Sequence, residues 1–281
     1  MKDHPIFRFS WALGNVLLIV SALCLLSALC WEYSTRQYLK GFSDAVIPAD
    51  ALPVEKVQAI LDWMKSGPAR REGSVDGKLA LRDPRETLNY ESLLQVCGTA
   101  TNAFINLGAT SGLEVRRLLL LDARGSTAHV DAEVLLDRQW VVVDPAFRII
   151  LRDPDGALLT VQQLKNTRTF EFATSGLKDY LPEYSFGRTA HIHFGRIGFL
   201  GPLIKKIAIT IFPRANASPL MSLLVERESL AACVAAMLLF LFSCVLRLVL
   251  GWVADTRLGI KRLHLTERLR RSGVAFLKQP S

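Results

Sequence analysis

Cys97, His129 and Asp144 are the residues whose types and order could carry covalent chemistry in this chain. A thiol, an imidazole and a carboxylate are what thioester chemistry requires. The imidazole takes the thiol proton and later protonates the leaving group, while the carboxylate fixes the tautomer of the ring. Cys97 draws notice because it is isolated. Of five cysteines, Cys24, Cys30, Cys233 and Cys244 fall within long apolar runs, leaving one thiol in the polar middle of the chain. One is too few for a disulfide framework or a cysteine-rich zinc site. A lone cysteine is also commonly a small buried hydrophobe, so the thiol counts only if its surroundings fit.

Those surroundings follow from local pattern. The stretch "YESLLQVCGTATNAFINLGATSG" reads as a helical region with Gly108 and Gly112 near its end. Cys97 then stands near the helix start, where the macrodipole favours a thiolate. Three segments of strand character come next: "EVRRLLLLD", the alternating "TAHVDAEVLLD" and the valine-rich "QWVVVDPAF". A tight hairpin is expected around Asp137 and Arg138. On it His129 and Asp144 would stand opposite or one diagonal step apart on one face, roughly 5–8 Å apart at their bases. A helix packed on that face, its start aimed at the imidazole, would complete the set, with backbone N–H groups there open to an oxyanion. Gln95 is a further oxyanion candidate by proximity alone.

The order and spacing of these blocks resemble the transglutaminase-like superfamily of cysteine acyl-transfer enzymes. The likeness covers about a fifth of the chain, Tyr90 to Phe147. It rests on "VCGTATNAFINLGATSGLEVRRL", "HVDAEV" and "QWVVVDPAF". By position, it implies Cys97 as nucleophile, His129 as base and Asp144 as orienter, with Glu133 and Trp140 at supporting positions. One residue departs from the pattern. Two after the histidine the family usually has an aromatic side chain, and here stands Asp131. A second carboxylate beside His129 would raise the imidazole pKa and change the floor of the cleft. That bears on substrate class and on whether the domain is an enzyme or an inactive scaffold.

The flanks place this domain. The runs "FSWALGNVLLIVSALCLLSALCW" (residues 9–31) and "SLAACVAAMLLFLFSCVLRLVLGWV" (229–253) are each long enough to cross a hydrocarbon core, which needs roughly 20 apolar residues as helix. The first exceeds the roughly 7–15 residues of a signal-peptide core, which favours a retained anchor. Net charge is +8, yet ten of the 34 basic residues lie in 1–8 and 247–281 against only Asp3, Asp255 and Glu267. The middle is therefore nearly neutral. This is the positive-inside pattern of cytoplasmic termini rather than a nucleic-acid footprint. The basic tail "KRLHLTERLRR" is also suited to anionic lipid.

The expectation is thus an α+β, transglutaminase-like domain, a cysteine-bearing helix on an antiparallel sheet, between two transmembrane helices. Its divisions would be a cytoplasmic N-terminus (1–8), a span (9–31), an extracytoplasmic domain (32–228, core about 53–150), a second span (229–252) and a basic tail (253–281). Residues 32–53 read as a connecting segment, 53–67 as a helix and 68–89 as a loop. The segment 192–213 is apolar but interrupted by Lys205 and Lys206. The expected location is a bacterial inner membrane, with the domain in the periplasm. Partners would be membrane lipid, an envelope protein, peptide or polymer as substrate, and other proteins of a membrane complex. No metal or cofactor is expected: His191 and His193 share a strand face, but no neighbouring Cys, Asp or Glu completes a site.

Overall fold

The computed structural model describes residues 5–67, 83–88, 96–181, 183–192 and 217–259. Most of the expected loop 68–89, of the segment 192–213 and of the basic tail lies outside them, as does Gln95. The chain divides into two compact units, one of Met1–Leu29 with Ala232–Ser281 and one of Cys30–Ala231.

Among the described residues, two helices are long and apolar enough to cross a membrane: α1 (Pro5–Val46) and the helix Glu228–Thr256, with mean hydropathies of 2.4 and 2.6 over their most apolar 18-residue windows. In the first unit they pack through small residues. Ala28, Cys233 and Ala236 form a buried cluster, and the Cys233 thiol donates to the Ala28 carbonyl at 3.0 Å. Arg247, the one charge inside the second apolar run, donates from Nε to Asn15 Oδ1 at 2.7 Å and lies over the Trp11 ring. An ionised side chain in such a helix is costly unless it is held by partners of this kind.

In the second unit, α1 continues as helix to Val46, where the sequence suggested a connecting segment. The reason is packing. Leu39 and Ile47 are buried in the core, and Phe42 meets Trp63 edge-on at 5.0 Å between ring centroids. Helix α2 (Pro53–Lys65) begins with proline at its first turn and buries Val57, Ile60, Leu61 and Met64, the stripe its periodicity implies. A short turn, α3 (Pro84–Thr87), is capped by Asp83. Helix α4 (Cys97–Thr110) is followed by Gly112 at φ 84°, a left-handed position that glycine takes without strain.

The strands β1 (Val115–Leu121), β2 (Thr127–Leu136), β3 (Gln139–Asp144), β4 (Ile149–Ile150) and β5 (Thr189–Ala190) form one antiparallel sheet in the order β4-β3-β2-β1-β5. Asp137 and Arg138 both have positive φ, 47° and 65°, as a two-residue type I′ hairpin demands. Between β4 and β5 lie α5 (Val161–Leu164) and α6 (Thr167–Thr174). Helix α7 (Pro219–Glu226) precedes α8 (Glu228–Thr256).

Side chains alternate across the sheet. Val115, Ala132, Val134, Val141 and Val143 face α2 and α4 in one apolar cluster. Leu118, Leu120 and Val142 face the other way, in a second cluster with Leu151, Leu159, Leu164, Tyr184 and Phe186. The buried core therefore extends past the 53–150 stretch at both ends.

Candidate active site

His129, Asp131 and Glu133 alternate with the valines and alanine of β2, so they share the second face with Leu120 and Val142. The β2–β3 ladder runs to Ala132 opposite Val143. One step further Asp131 comes opposite Asp144, and His129 is the diagonal neighbour. Asp144 is fixed by its own turn. Pro145 has no N–H, and the next two amides, of Ala146 and Phe147, both donate to Asp144 Oδ1, at 2.9 and 3.0 Å. That leaves Oδ2 to accept from His129 Nε2 at 2.8 Å. Asp131 Oδ1 stands 3.2 Å from the same nitrogen. With carboxylate oxygens on both sides, Nε2 carries the proton.

All three residues are 0% exposed. Tyr184 stacks on the imidazole at 4.3 Å between ring centroids, with Phe147 and Tyr180 edge-on at 5.9 and 6.0 Å. Burial alone would discharge the ring, but the Asp144 and Asp131 charges outweigh it and hold its pKa well above the ordinary imidazole value. Burial, reinforced by the Asp144 charge, pushes the Asp131 carboxyl up to about 7. The other ring nitrogen, Nδ1, is buried and has no hydrogen-bond partner among the described residues. Native proteins rarely leave such an atom unmatched without a functional reason.

Cys97 is the first residue of α4, which follows the extended Val96. The helix is pinned to β2 one turn later, where the Thr101 hydroxyl donates to the Val130 carbonyl at 2.8 Å. The sequence reading had this helix on the face that carries His129. It packs instead on the opposite face, against Ala132, Val134 and Val143, because those small and branched side chains form the apolar surface a helix can cover. The half-buried Cys97 packs at the edge of that cluster and makes no hydrogen bond to the ring. The end of β2 that carries His129 is irregular. The register slips between Leu120 and Leu121, so Ala128 is an extra, unpaired residue beside His129, and the resulting bulge sharpens the twist there.

No family model, curated protein or solved structure matches this chain. The site must therefore be read from its own atoms.

Glu133 and Trp140 do not touch the imidazole. Both hold Arg116 from β1: Glu133 Oε2 accepts from its Nε at 2.7 Å, and the guanidinium lies 3.9 Å over the Trp140 ring. They brace three adjacent strands behind the site. Gln95 falls outside the described residues. His191 Nδ1–H donates to the Arg117 carbonyl at 2.7 Å, and burial lowers its pKa. His193 is outside the described residues. Among those described, one group of side chains brings its donor atoms within 4.8 Å of one another, as a cation site requires: His129, Asp131 and Asp144. Since both carboxylates already take up Nε2, the group reads as a hydrogen-bonded set. Sequence reasoning missed the aromatic cover. Its only trace is "DYLPEYSF", where Tyr180, Tyr184 and Phe186 fall within seven residues.

Proposed function

We propose that this chain is a membrane-anchored cysteine acyltransferase or amidase of the transglutaminase-like type, with Cys97 as nucleophile, His129 as base and Asp144 as orienter. One observation carries the reading: the imidazole is clamped by Asp144 through Nε2 while Nδ1 is kept buried and unspent. A general base needs one nitrogen held and the other open. Nδ1 takes the Cys97 proton before substrate binds, giving a resting thiolate–imidazolium pair, and the thiolate attacks the carbonyl carbon of an amide. The tetrahedral oxyanion is met by N–H groups at the start of α4. The imidazolium then returns the proton to the departing amine, leaving a thioester on Cys97. Water or a second amine attacks it, gives its proton to Nδ1, and the thiol re-forms. The reading requires the Cys97 thiol to come within hydrogen-bond reach of Nδ1.

Substrates are an envelope protein, peptide or polymer, approached from a bacterial inner membrane with both termini cytoplasmic and the middle domain periplasmic. The two apolar helices and the basic flanks support that topology. A fusion reporter joined after Ser281 is expected to be active only as a cytoplasmic marker; activity as a periplasmic one would overturn it.

The full enzyme reading is tested by acyl capture. Incubation with a p-nitrophenyl ester is expected to release p-nitrophenolate and leave the acyl group on Cys97, seen by peptide mass spectrometry. Acylation absent, or confined to other residues, sinks the proposal. A second reading, an inactive transglutaminase-like scaffold in a membrane complex, is favoured by the closure of the site under Tyr180 and Tyr184 and by the missing thiol–imidazole bond. The same experiment separates the two.

A further inference from the structure

Asp131 is used by no step of that mechanism, yet it is buried against the ring, and among the described residues the imidazole alone answers its charge. We propose that Asp131 is a positioning residue, a second carboxylate that holds His129 as an imidazolium into the alkaline range and so sets the upper pH limit of the site. The inference rests on the reading of His129 as the base and deepens it by assigning its pH control.

The geometry is the first ground. Two carboxylates, on neighbouring strands and facing each other at the end of the ladder, converge on one nitrogen at 2.8 and 3.2 Å. A single Nε2–H cannot be fully donated to both. Asp144 has the shorter bond and two backbone amides fixing its other oxygen. Among the described residues neither Asp131 oxygen has a well-formed hydrogen bond of its own. Asp131 therefore acts on the ring mainly through charge.

The surroundings are the second ground. From β1 the same face offers Leu118 and Leu120, from β3 Val142 and Asp144, and from the segment after α6 the rings of Tyr180 and Tyr184. Further along the face Glu133 is neutralised by Arg116. No cation other than the imidazolium faces Asp131 among the described residues. With both carboxylates ionised and the ring charged, this closed aromatic chamber carries one net negative charge, which burial penalises. A proton on Asp131 removes it, in keeping with a carboxyl raised to about 7.

The order of proton loss follows. Below neutrality Asp131 is neutral and Asp144 alone orients the ring. As pH rises, Asp131 gives up its proton first, and the charge it gains strengthens the hold on the imidazolium at the pH where a free imidazole would discharge. The grip increases as it is needed.

The test uses the full chain, labelled with 15N-histidine and held in detergent micelles, with the ring nitrogens followed against pH. In the wild type the His129 ring is expected to stay doubly protonated well above the pH at which a free imidazole discharges. Asp131→Asn removes the charge at constant size and is expected to lower the ring pKa by at least about one unit, the range for loss of an adjacent opposite charge. The alkaline limb of Cys97 acylation should move down by the same amount. A ring pKa unchanged in Asp131→Asn overturns the proposal. Should that variant fail to fold, the wild-type titration decides alone: a ring discharging near its ordinary value, about 6.5, overturns it equally. Repeating the titration in Cys97→Ser shows that the ring shift does not depend on the thiol. A ring shift on Asp131→Asn in a chain whose wild-type Cys97 is not acylated leaves Asp131 as assigned and removes the enzyme.

Discussion

Asp144→Asn is expected to slow acylation of Cys97 by at least about 100-fold, and by as much as about 10⁴-fold if its role matches that of the carboxylate in hydrolytic triads generally. The reason is a tautomer. Asp144 Oδ1 accepts from the amides of Ala146 and Phe147. An asparagine there must keep its carbonyl oxygen on those two donors, which turns its NH₂ toward His129 Nε2. Nε2 then has to accept, the ring proton moves to Nδ1, and Nδ1 can no longer take the thiol proton. The fold should survive, because size and both backbone bonds are retained. Stopped-flow release of p-nitrophenolate measures the rate. Asp131 makes the experiment more informative, since its Oδ1 can still take an Nε2–H at 3.2 Å. Some activity should therefore remain in Asp144→Asn and disappear in the double variant with Asp131→Asn. A rate within threefold of wild type in Asp144→Asn would remove Asp144 as orienter.

How much of this was legible in the sequence depends on the range of the physics involved. Alternation along "TAHVDAEVLL" and "QWVVVD" puts His129 and Asp144 on one face, and the Asp137–Arg138 turn fixes the register that joins them; both are local and both were readable. The face taken by α4 is not local. It depends on which side of the sheet offers Ala132, Val134 and Val143 as an apolar floor, and the same alternation that aligns His129 with Asp144 puts those residues opposite them. The helical extension of α1 to Val46 was hidden for a similar reason: Leu39, Phe42 and Ile47 are sparse in a polar stretch and gain meaning only from contact with α2 and its Trp63. Tyr180 and Tyr184 cover a ring that lies about fifty residues earlier in the chain, which no window-based reading can pair. Asp131, by contrast, was visible as a departure from pattern, and the structure turns it into a second contact to the imidazole.

The largest effect on stability is expected from a cluster that no motif marks. Glu226, at the end of α7, ion-pairs through Oε1 with Arg117 Nη1 and accepts from Asn102 Nδ2 at Oε2, 2.9 Å away. Its backbone carbonyl accepts from Asn102 and Asn106, at 2.6 and 3.0 Å. Asn106 Oδ1 in turn accepts from Arg227 Nε at 2.8 Å, and Arg227 reaches Glu32 on α1 at 3.2 Å. Two buried ion pairs are thus joined by the asparagines of the helix that starts at Cys97. Glu226→Ala strands the Arg117 guanidinium in a place where water cannot answer it, and is expected to cost about 3–5 kcal/mol. Replacing the pair together, Arg117→Met with Glu226→Leu, leaves no orphan charge and should recover most of the loss, since apolar side chains of similar volume commonly match a buried ion pair. Denaturant unfolding of the full chain in micelles, run as a double-mutant cycle, measures both. A single-variant cost below about 1 kcal/mol would mean that solvent reaches Arg117 and that the pair behaves as a surface one. The predicted cost matters for the site because Asn102 and Asn106 lie on the helix that Cys97 begins. If the cluster fixes that helix along β2, Glu226→Ala should also lower Cys97 acylation at temperatures where the chain is still folded, whereas the paired apolar variant, which restores packing but not the asparagine bond at Oε2, should recover stability more fully than rate.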